Sequence, residues 1–270
     1  MEVVERFVQG KAADPSLCED AVAVTGEYAV VIDGATDVSG RTYGGVAGGR
    51  WAMTACLDAV HAFPAGMDAA TAVAALTRVM AGRVGPQTPP ADRPSASVTI
   101  YSATRREVWQ IGDVGFSYAG LPPGAGRPRK RVDEIAASFR AAIIAAEAAA
   151  GTISLTGMGT ADPARPAVRA LVARQGSLRN TTGLYGYAGI DGRPVPLALV
   201  AVHPLPADAA ELVIASDGYP VIGETLAQSE AALARLLDLD PWCVNELCGT
   251  KGVLAGQASY DDRAYLRVRL

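Results

Sequence analysis

Two apolar runs in this sequence stop at the same dipeptide. Tyr28–Thr36 reads YAVVIDGAT and Glu211–Gly218 reads ELVIASDG. Short runs rich in β-branched and aliphatic residues read as buried strands. Each run delivers one carboxylate, Asp33 or Asp217, to its end. The first run also has a partner: AVAVT (21–25) precedes it, and Gly26-Glu27 makes a two-residue turn, so a β-hairpin is predicted. Antiparallel pairing across that turn sets Asp20, before the first strand, at the same end as Asp33.

Strand and helix patterns alternate along the rest of the chain. A short edge strand is expected at 2–8. A glycine-rich loop (34–50) leads into a helix ending near Pro64, and a second helix fits 69–83 with Asp68 as its N-cap. SASVTIYSA (95–103), EVWQIGD (107–113) and VGFSYAG (114–120) read as a β-meander. A long alanine-rich helix fits 131–150 and another runs from Pro163 to about Gln175. Strands are expected at 197–203 and 211–216, helices at 221–237 and 241–249, and a final alternating strand at 262–270. No internal repeat or composition break divides the 270 residues, so one α+β domain is predicted, with antiparallel sheets and helices outside.

The bulk properties exclude several roles. Charged residues make up 19% and the net charge is −4, with no basic patch interleaved with aromatics, which argues against a nucleic-acid partner. No apolar stretch reaches the ~20 residues that span a bilayer, and the N-terminus lacks a signal-peptide pattern, so no membrane partner and a cytoplasmic location are expected. Cys18, Cys56, Cys243 and Cys248 form no C-x-x-C pair and only two histidines exist, so reduced thiols, mostly buried, are expected rather than a zinc site.

Asp20, Asp33, Asp217 and Asp261 each stand at a strand terminus or turn, and Asp113 in Gly112-Asp113 is a fifth. Carboxylates without His or Cys suit hard cations such as Mg2+ and Mn2+. Gly34 lets the backbone approach an ion, which makes its carbonyl a candidate ligand. Two ions about 3.5–4 Å apart clamp an in-line displacement at phosphorus. Asp-Gly is equally a common turn dipeptide. Residue types alone therefore leave both readings open, a shared cation site or separate strand ends.

The order of motifs adds information. Glu19-Asp20, Asp33-Gly34, ASVTIY with VWQIGD, ELVIASDG and Ser259-Tyr260-Asp261-Asp262 together resemble the PPM family of metal-dependent protein phosphatases (PP2C type), as a bacterial-like single-domain member. The resemblance implies a central antiparallel β-sandwich flanked by helices on both sides, a four-layer α-β-β-α arrangement. It implies two Mg2+ or Mn2+ ions, with Asp33 bridging them and the Gly34 carbonyl, Asp217 and Asp261 as further ligands. Glu19 and Asp20 would bind directly or through water, and Asp113 is the candidate for a third ion. In that family a water between the two ions attacks phosphorus in one step, so Asp33 and Asp20 are the candidate catalytic carboxylates. The implied substrate is a phosphoserine or phosphothreonine protein.

The sequence departs from the family pattern in places that bear on substrate. Pro15 stands where the phosphate-gripping arginine is usual; Lys11 and Arg41 are the candidate substitutes. Ala35 stands where eukaryotic members have a histidine, leaving Asp37 as a local acid or a loop cap. Val221 replaces the acidic companion of Asp113 at the third ion site. Residues 121–196, including Tyr185 and Tyr187, read as a divergent insert or flap. The basic cluster Arg127, Arg129, Lys130 and Arg131 reads as a solvated helix start, and His61 and His203 as non-catalytic. A phosphatase of a small phosphorylated metabolite, and a catalytically silent binding module, are the alternative readings.

Overall fold

The computed structural model describes residues 1–270 except Ser39, Met158 and Thr160. In chain order the strands and helices are β1 (Glu2–Gln9), β2 (Asp20–Val24), β3 (Tyr28–Gly34), β4 (Thr42–Tyr43), β5 (Val46–Ala47), α1 (Gly48–His61), α2 (Ala69–Arg83), β6 (Ala96–Ser102), β7 (Glu107–Ile111), β8 (Gly115–Ser117), α3 (Arg131–Ala149), α4 (Arg165–Val172), β9 (Ala201–Pro204), β10 (Glu211–Ala215), α5 (Leu226–Leu239) and β11 (Arg263–Arg269). They build a five-stranded sheet, β2-β3-β6-β7-β9, and a four-stranded sheet, β1-β11-β10-β8; β4 and β5 form a separate pair. The strands of these sheets pair antiparallel throughout.

The two-residue period of a strand explains how the layers assemble. Along β3, Tyr28, Val30 and Ile32 pack with Ala52, Cys56, Val60, Leu76 and Met80 of α1 and α2. Ala29 and Val31 point the other way and join Leu212, Ile214, Ala264, Leu266 and Val268 of the second sheet. In β10 and β11, Val213, Ala215 and Tyr265 turn outward to Leu233 of α5. The order is therefore helices, sheet, sheet, helix, and the expected α-β-β-α layering stands. The same period puts Asp33, two residues beyond Val31, on the face between the sheets.

The β2–β3 hairpin forms in the expected register, with Asp20 opposite Asp33. Asp68 caps α2 by accepting from the Thr71 amide at 2.8 Å. Among the described residues no helix is long and apolar enough to cross a membrane. Cys18, Cys56 and Cys243 are buried free thiols, and Cys248 is an exposed one.

Five expectations need correction. The meander breaks at Gly112, whose φ of +98° reverses the chain, so β8 leaves β7 and pairs with β10 in the other sheet. Residues 241–249 form turns, not a helix. Cys243 and Cys248 take left-handed backbone angles, and the Asp240 carboxylate accepts from the Val244 and Asn245 amides. The strand expected at 197–203 begins only at Ala201, after a single 3-10 turn at Leu197–Leu199 behind Pro196. The helices expected at 163–175 and 221–237 settle at Arg165–Val172 and Leu226–Leu239. Thr225 caps the latter by accepting from the Gln228 amide.

The turns at 241–250 are held by one buried arginine. Arg140 of α3 is fully buried. Its Nε donates to Asp162 at 2.7 Å, Nη1 to the carbonyls of Cys243 and Gly249 at 3.1 and 3.0 Å, and Nη2 to that of Trp242 at 2.8 Å. Arg140→Met removes the charge partner of the Asp162 carboxylate, which keeps only the Ala164 and Arg165 amides, and takes the arginine donor from all three carbonyls. It is expected to cost about 3 kcal/mol of stability, read as a lower urea midpoint.

Candidate metal centre

Antiparallel pairing brings the acidic motifs to one end of the sandwich. Asp20 and Asp33 face each other across β2 and β3. Asp33 is also opposite Ser97 of β6. Asp217 lies just beyond β10 and Asp261-Asp262 just before β11. Ser216 and Ala264 lock those two strand ends together, with Ser216 N donating to Ala264 O at 3.0 Å and Ala264 N to Ser216 Oγ at 2.8 Å. Asp113, at the turn after β7, accepts from Ser97 Oγ at 2.5 Å.

Asp262 braces the entrance to the hairpin. Its Oδ1 accepts from the Lys11 amide at 2.7 Å and its Oδ2 from the Glu19 amide at 3.0 Å. Glu19 Oε2 accepts from Thr36 Oγ1 at 2.5 Å. The opposite oxygen, Glu19 Oε1, and Asp20 Oδ2 are buried without a hydrogen-bond partner among the described residues. Buried charged oxygens left unpaired are costly, and a bound cation is one way to satisfy them.

Charge crowding gives the same indication. Burial raises Asp33 well above the usual carboxylate range, and Asp217, Asp20, Asp113 and Asp261 add to the rise. Burial likewise raises Asp20, opposed by the Ser216 hydroxyl and reinforced by Asp261, Asp262 and Asp217. Asp217 is pushed up to about 7 by burial and then by Asp261 and Asp113, against the pull of Lys251 and Lys130. Burial raises Glu19 too, only partly offset by Thr36 and Lys11. These shifts mark Asp33, Asp20 and Asp217 as acids short of positive charge.

Two acids have found their cations within the chain. Burial of Asp261 is outweighed by Lys251 and Lys11, which hold it below the usual range. Lys251 Nζ lies 2.6 Å from Asp261 Oδ2 and Lys11 Nζ 3.2 Å from Oδ1. Asp113 is held down in the same way by Lys130, at 2.6 Å from its Oδ2, despite its own burial. Lys130 also lies over the Tyr187 ring, 5.0 Å from its centroid.

The donor set fits a hard cation on the Asp33 side. A Cβ placed on Gly49 would lie 2.7 Å from the carbonyl oxygens of Gly34 and Ala35 and nearer still to Glu19 Oε1. Carbonyl and carboxylate oxygens thus border one small space at the start of α1, where a side chain has no room. Both Asp261 oxygens face ammonium groups, and the Asp113 oxygens are taken by Lys130 and the Ser97 hydroxyl. Among the described residues no three Asp, Glu, His or Cys side chains already surround a common point.

Lys11 enters the cluster but faces carboxylates, with Asp262 Oδ2 at 3.3 Å and Glu19 Oε2 at 3.7 Å besides Asp261. Arg41 lies elsewhere: it pairs with Asp92 at 2.7 Å, and its side chain is 50% exposed. It is absent from the lining of the cavity of about 440 Å3 beside Asp217, which Asp113, Asp261, Arg127, Lys130 and Lys251 line. The basic cluster is therefore only partly a solvated helix start. Lys130 is half-buried against Asp113, and Arg127 donates to the Tyr219 carbonyl. His203 bonds Gln110 Oε1 at 2.9 Å and packs on Phe116, while His61 is exposed, as expected. Lys251, Ser97 and Thr36 carry no motif of their own and Lys130 reads as a helix-start charge; only the loop paths between them and their acidic partners bring them together. Asp262 was legible only as the second residue of an Asp-Asp pair.

No family model matches the chain, and no curated protein matches it. Among solved structures, the chain is similar to the serine/threonine phosphatase PstP/Ppp of Mycobacterium tuberculosis, with 14% identity and a TM-score of 0.49 over 99% of both chains. It is similar to the PPM Ser-Thr phosphatase MsPP from Mycobacterium smegmatis in complex with cacodylate, with 14% identity and a TM-score of 0.49 over 100% of both. It is also similar to the serine/threonine phosphatase Stp1 from Staphylococcus aureus, with 10% identity and a TM-score of 0.48 over 100% of this chain and 97% of that one.

Proposed function

We propose that this chain is a Mg2+- or Mn2+-dependent phosphomonoester hydrolase acting on phosphoserine or phosphothreonine proteins. The observation that carries the reading is the pair Asp20, buried, and Asp33, half-buried, set opposite each other beside Asp217, with Glu19 Oε1 and Asp20 Oδ2 lacking a donor among the described residues. The order of acidic motifs along the sequence supports it as well.

In this reading Asp33, Asp20, Glu19, Asp217 and the Gly34 carbonyl hold the divalent ions. Bound Mg2+ or Mn2+ supplies Lewis acidity toward phosphoryl oxygens and lowers the pKa of water. The chain's own residues do the rest. Asp262 fixes the Glu19 backbone, Thr36 fixes one Glu19 oxygen, and the hairpin register fixes Asp20 against Asp33. Arg127, Lys130 and Lys251 line the cavity beside Asp217, where Lys130 and Lys251 balance Asp113 and Asp261 and so limit the negative charge that a phosphate dianion meets there. Ala35 offers no proton to the leaving group.

A second reading, hydrolysis of a small phosphorylated metabolite, is favoured by the cavity itself. Its volume of about 440 Å3 falls in the range of small-ligand pockets, and residues of the divergent 121–196 segment form one wall. A silent binding module is the third reading, motivated by the lysines on Asp261.

The test is p-nitrophenyl phosphate hydrolysis by the full chain with added Mn2+, with and without chelator. Chelator-sensitive turnover is expected. A folded protein that binds Mn2+ yet turns nothing over would leave only the silent module. Comparing phosphopeptides with sugar and nucleoside phosphates then separates the two enzyme readings by kcat/KM.

A further inference from the structure

Asp261 carries an ammonium group on each oxygen, Lys251 on Oδ2 and Lys11 on Oδ1, and Oδ1 also accepts from the Asp262 amide at 3.0 Å. A divalent ion using this carboxylate must displace at least one of the two lysines, because like charges cannot share those oxygens at contact distance.

Lys251 is not a wandering surface side chain. The backbone on its N-terminal side is pinned: Arg165 Nη1 donates to Thr250 O at 2.6 Å and Arg140 Nη1 to Gly249 O at 3.0 Å. On its other side Val253 N donates to Pro241 O at 3.0 Å. A lysine on a free loop would lose much rotamer and backbone entropy on pairing. Here the backbone is already ordered by two arginines from the helices of the 121–196 segment, so less is lost.

We propose that Lys251 is a tethered counter-ion for Asp261: it occupies the second cation position, so the chain takes up one divalent ion tightly, on the Asp33 side, and a second only weakly. This rests on the reading of Asp33 and Asp20 as cation ligands. The segment that departs from the family pattern then has a defined effect on the centre. Through Arg140 and Arg165 it sets how many ions the centre holds.

The experiment is Mn2+ titration calorimetry on the full chain, comparing wild type, Lys251→Met and Lys251→Arg, with near-UV circular dichroism to confirm the fold. Wild type and Lys251→Arg are expected to bind one ion tightly. Lys251→Met is expected to bind a second at least about tenfold more tightly than wild type does. Lys251→Gln gives the same comparison should the Met variant not fold. Two equally tight ions in wild type, with unchanged constants in the Met or Gln variant, overturn the counter-ion role and leave the metal-centre reading standing. No Mn2+ bound by any folded variant overturns both.

Discussion

Asp33→Asn is expected to lower Mn2+-dependent phosphomonoester hydrolysis on the order of 10^3-fold while making the metal-free protein harder to unfold. Both effects have one cause. Asp33 is half-buried at the strand end; its desolvation first, and then Asp217, Asp20, Asp113 and Asp261, raise its pKa above the ordinary value of 3.8. A carboxyl whose folded pKa is raised binds its proton more tightly in the folded state than in the unfolded one. Its contribution to stability is thus complete at low pH and is lost as pH rises from about 4 through the raised value. Asparagine keeps the shape and removes the charge, so the variant's urea midpoint should exceed wild type near neutral pH and fall less as pH rises. The same change removes the carboxylate proposed as the central ligand. Initial rates on p-nitrophenyl phosphate and urea melts at two pH values measure the two effects. A variant with rates within a few-fold of wild type would remove Asp33 from the centre.

The second large effect is predicted at Gly34. A Cβ there would lie 2.6 Å from the Gly49 carbonyl carbon, closer to its oxygen, and 2.8 Å from the Glu19 carbonyl oxygen. All three atoms are backbone, so no rotamer change relieves the clash, and α1 or the Glu19 segment has to move. Gly34→Ala is expected to cost about 3 kcal/mol and to weaken Mn2+ binding by spreading the oxygens beside Gly49. Gly26→Ala, in the hairpin turn, meets nothing within 4 Å and should stay within about 0.5 kcal/mol of wild type. Urea denaturation of the pair checks this; equal midpoints would mean the Gly34 contact is not tight.

The parts of the site that were legible in the sequence are those set by local rules. A two-residue turn between apolar runs fixes register, so Asp20 opposite Asp33 follows from the hairpin sequence alone. Strand ends at Asp217 and Asp261 were legible for the same reason. The position of β8 was not, because one left-handed glycine decides which sheet receives Gly115–Ser117. The turns at 241–249 were not legible either. Their carbonyls bond Arg140, about a hundred residues earlier in an alanine-rich helix whose pattern announces no buried charge. The lysines were hardest to place. Lys11 meets Asp261 across a sequence separation of 250 residues, and neither neighbourhood marks the pairing. Sequence patterns therefore located the acids that want a cation. The cations already supplied by the chain became visible only with the tertiary arrangement.

If Asp33 and its neighbours hold a divalent ion, anomalous diffraction at the manganese edge, from crystals grown with Mn2+, will place it. A peak is expected within bonding distance of the Asp33 carboxylate and the Gly34 carbonyl oxygen. An ordered, empty Asp33 side with manganese only elsewhere, or nowhere, would contradict the claim.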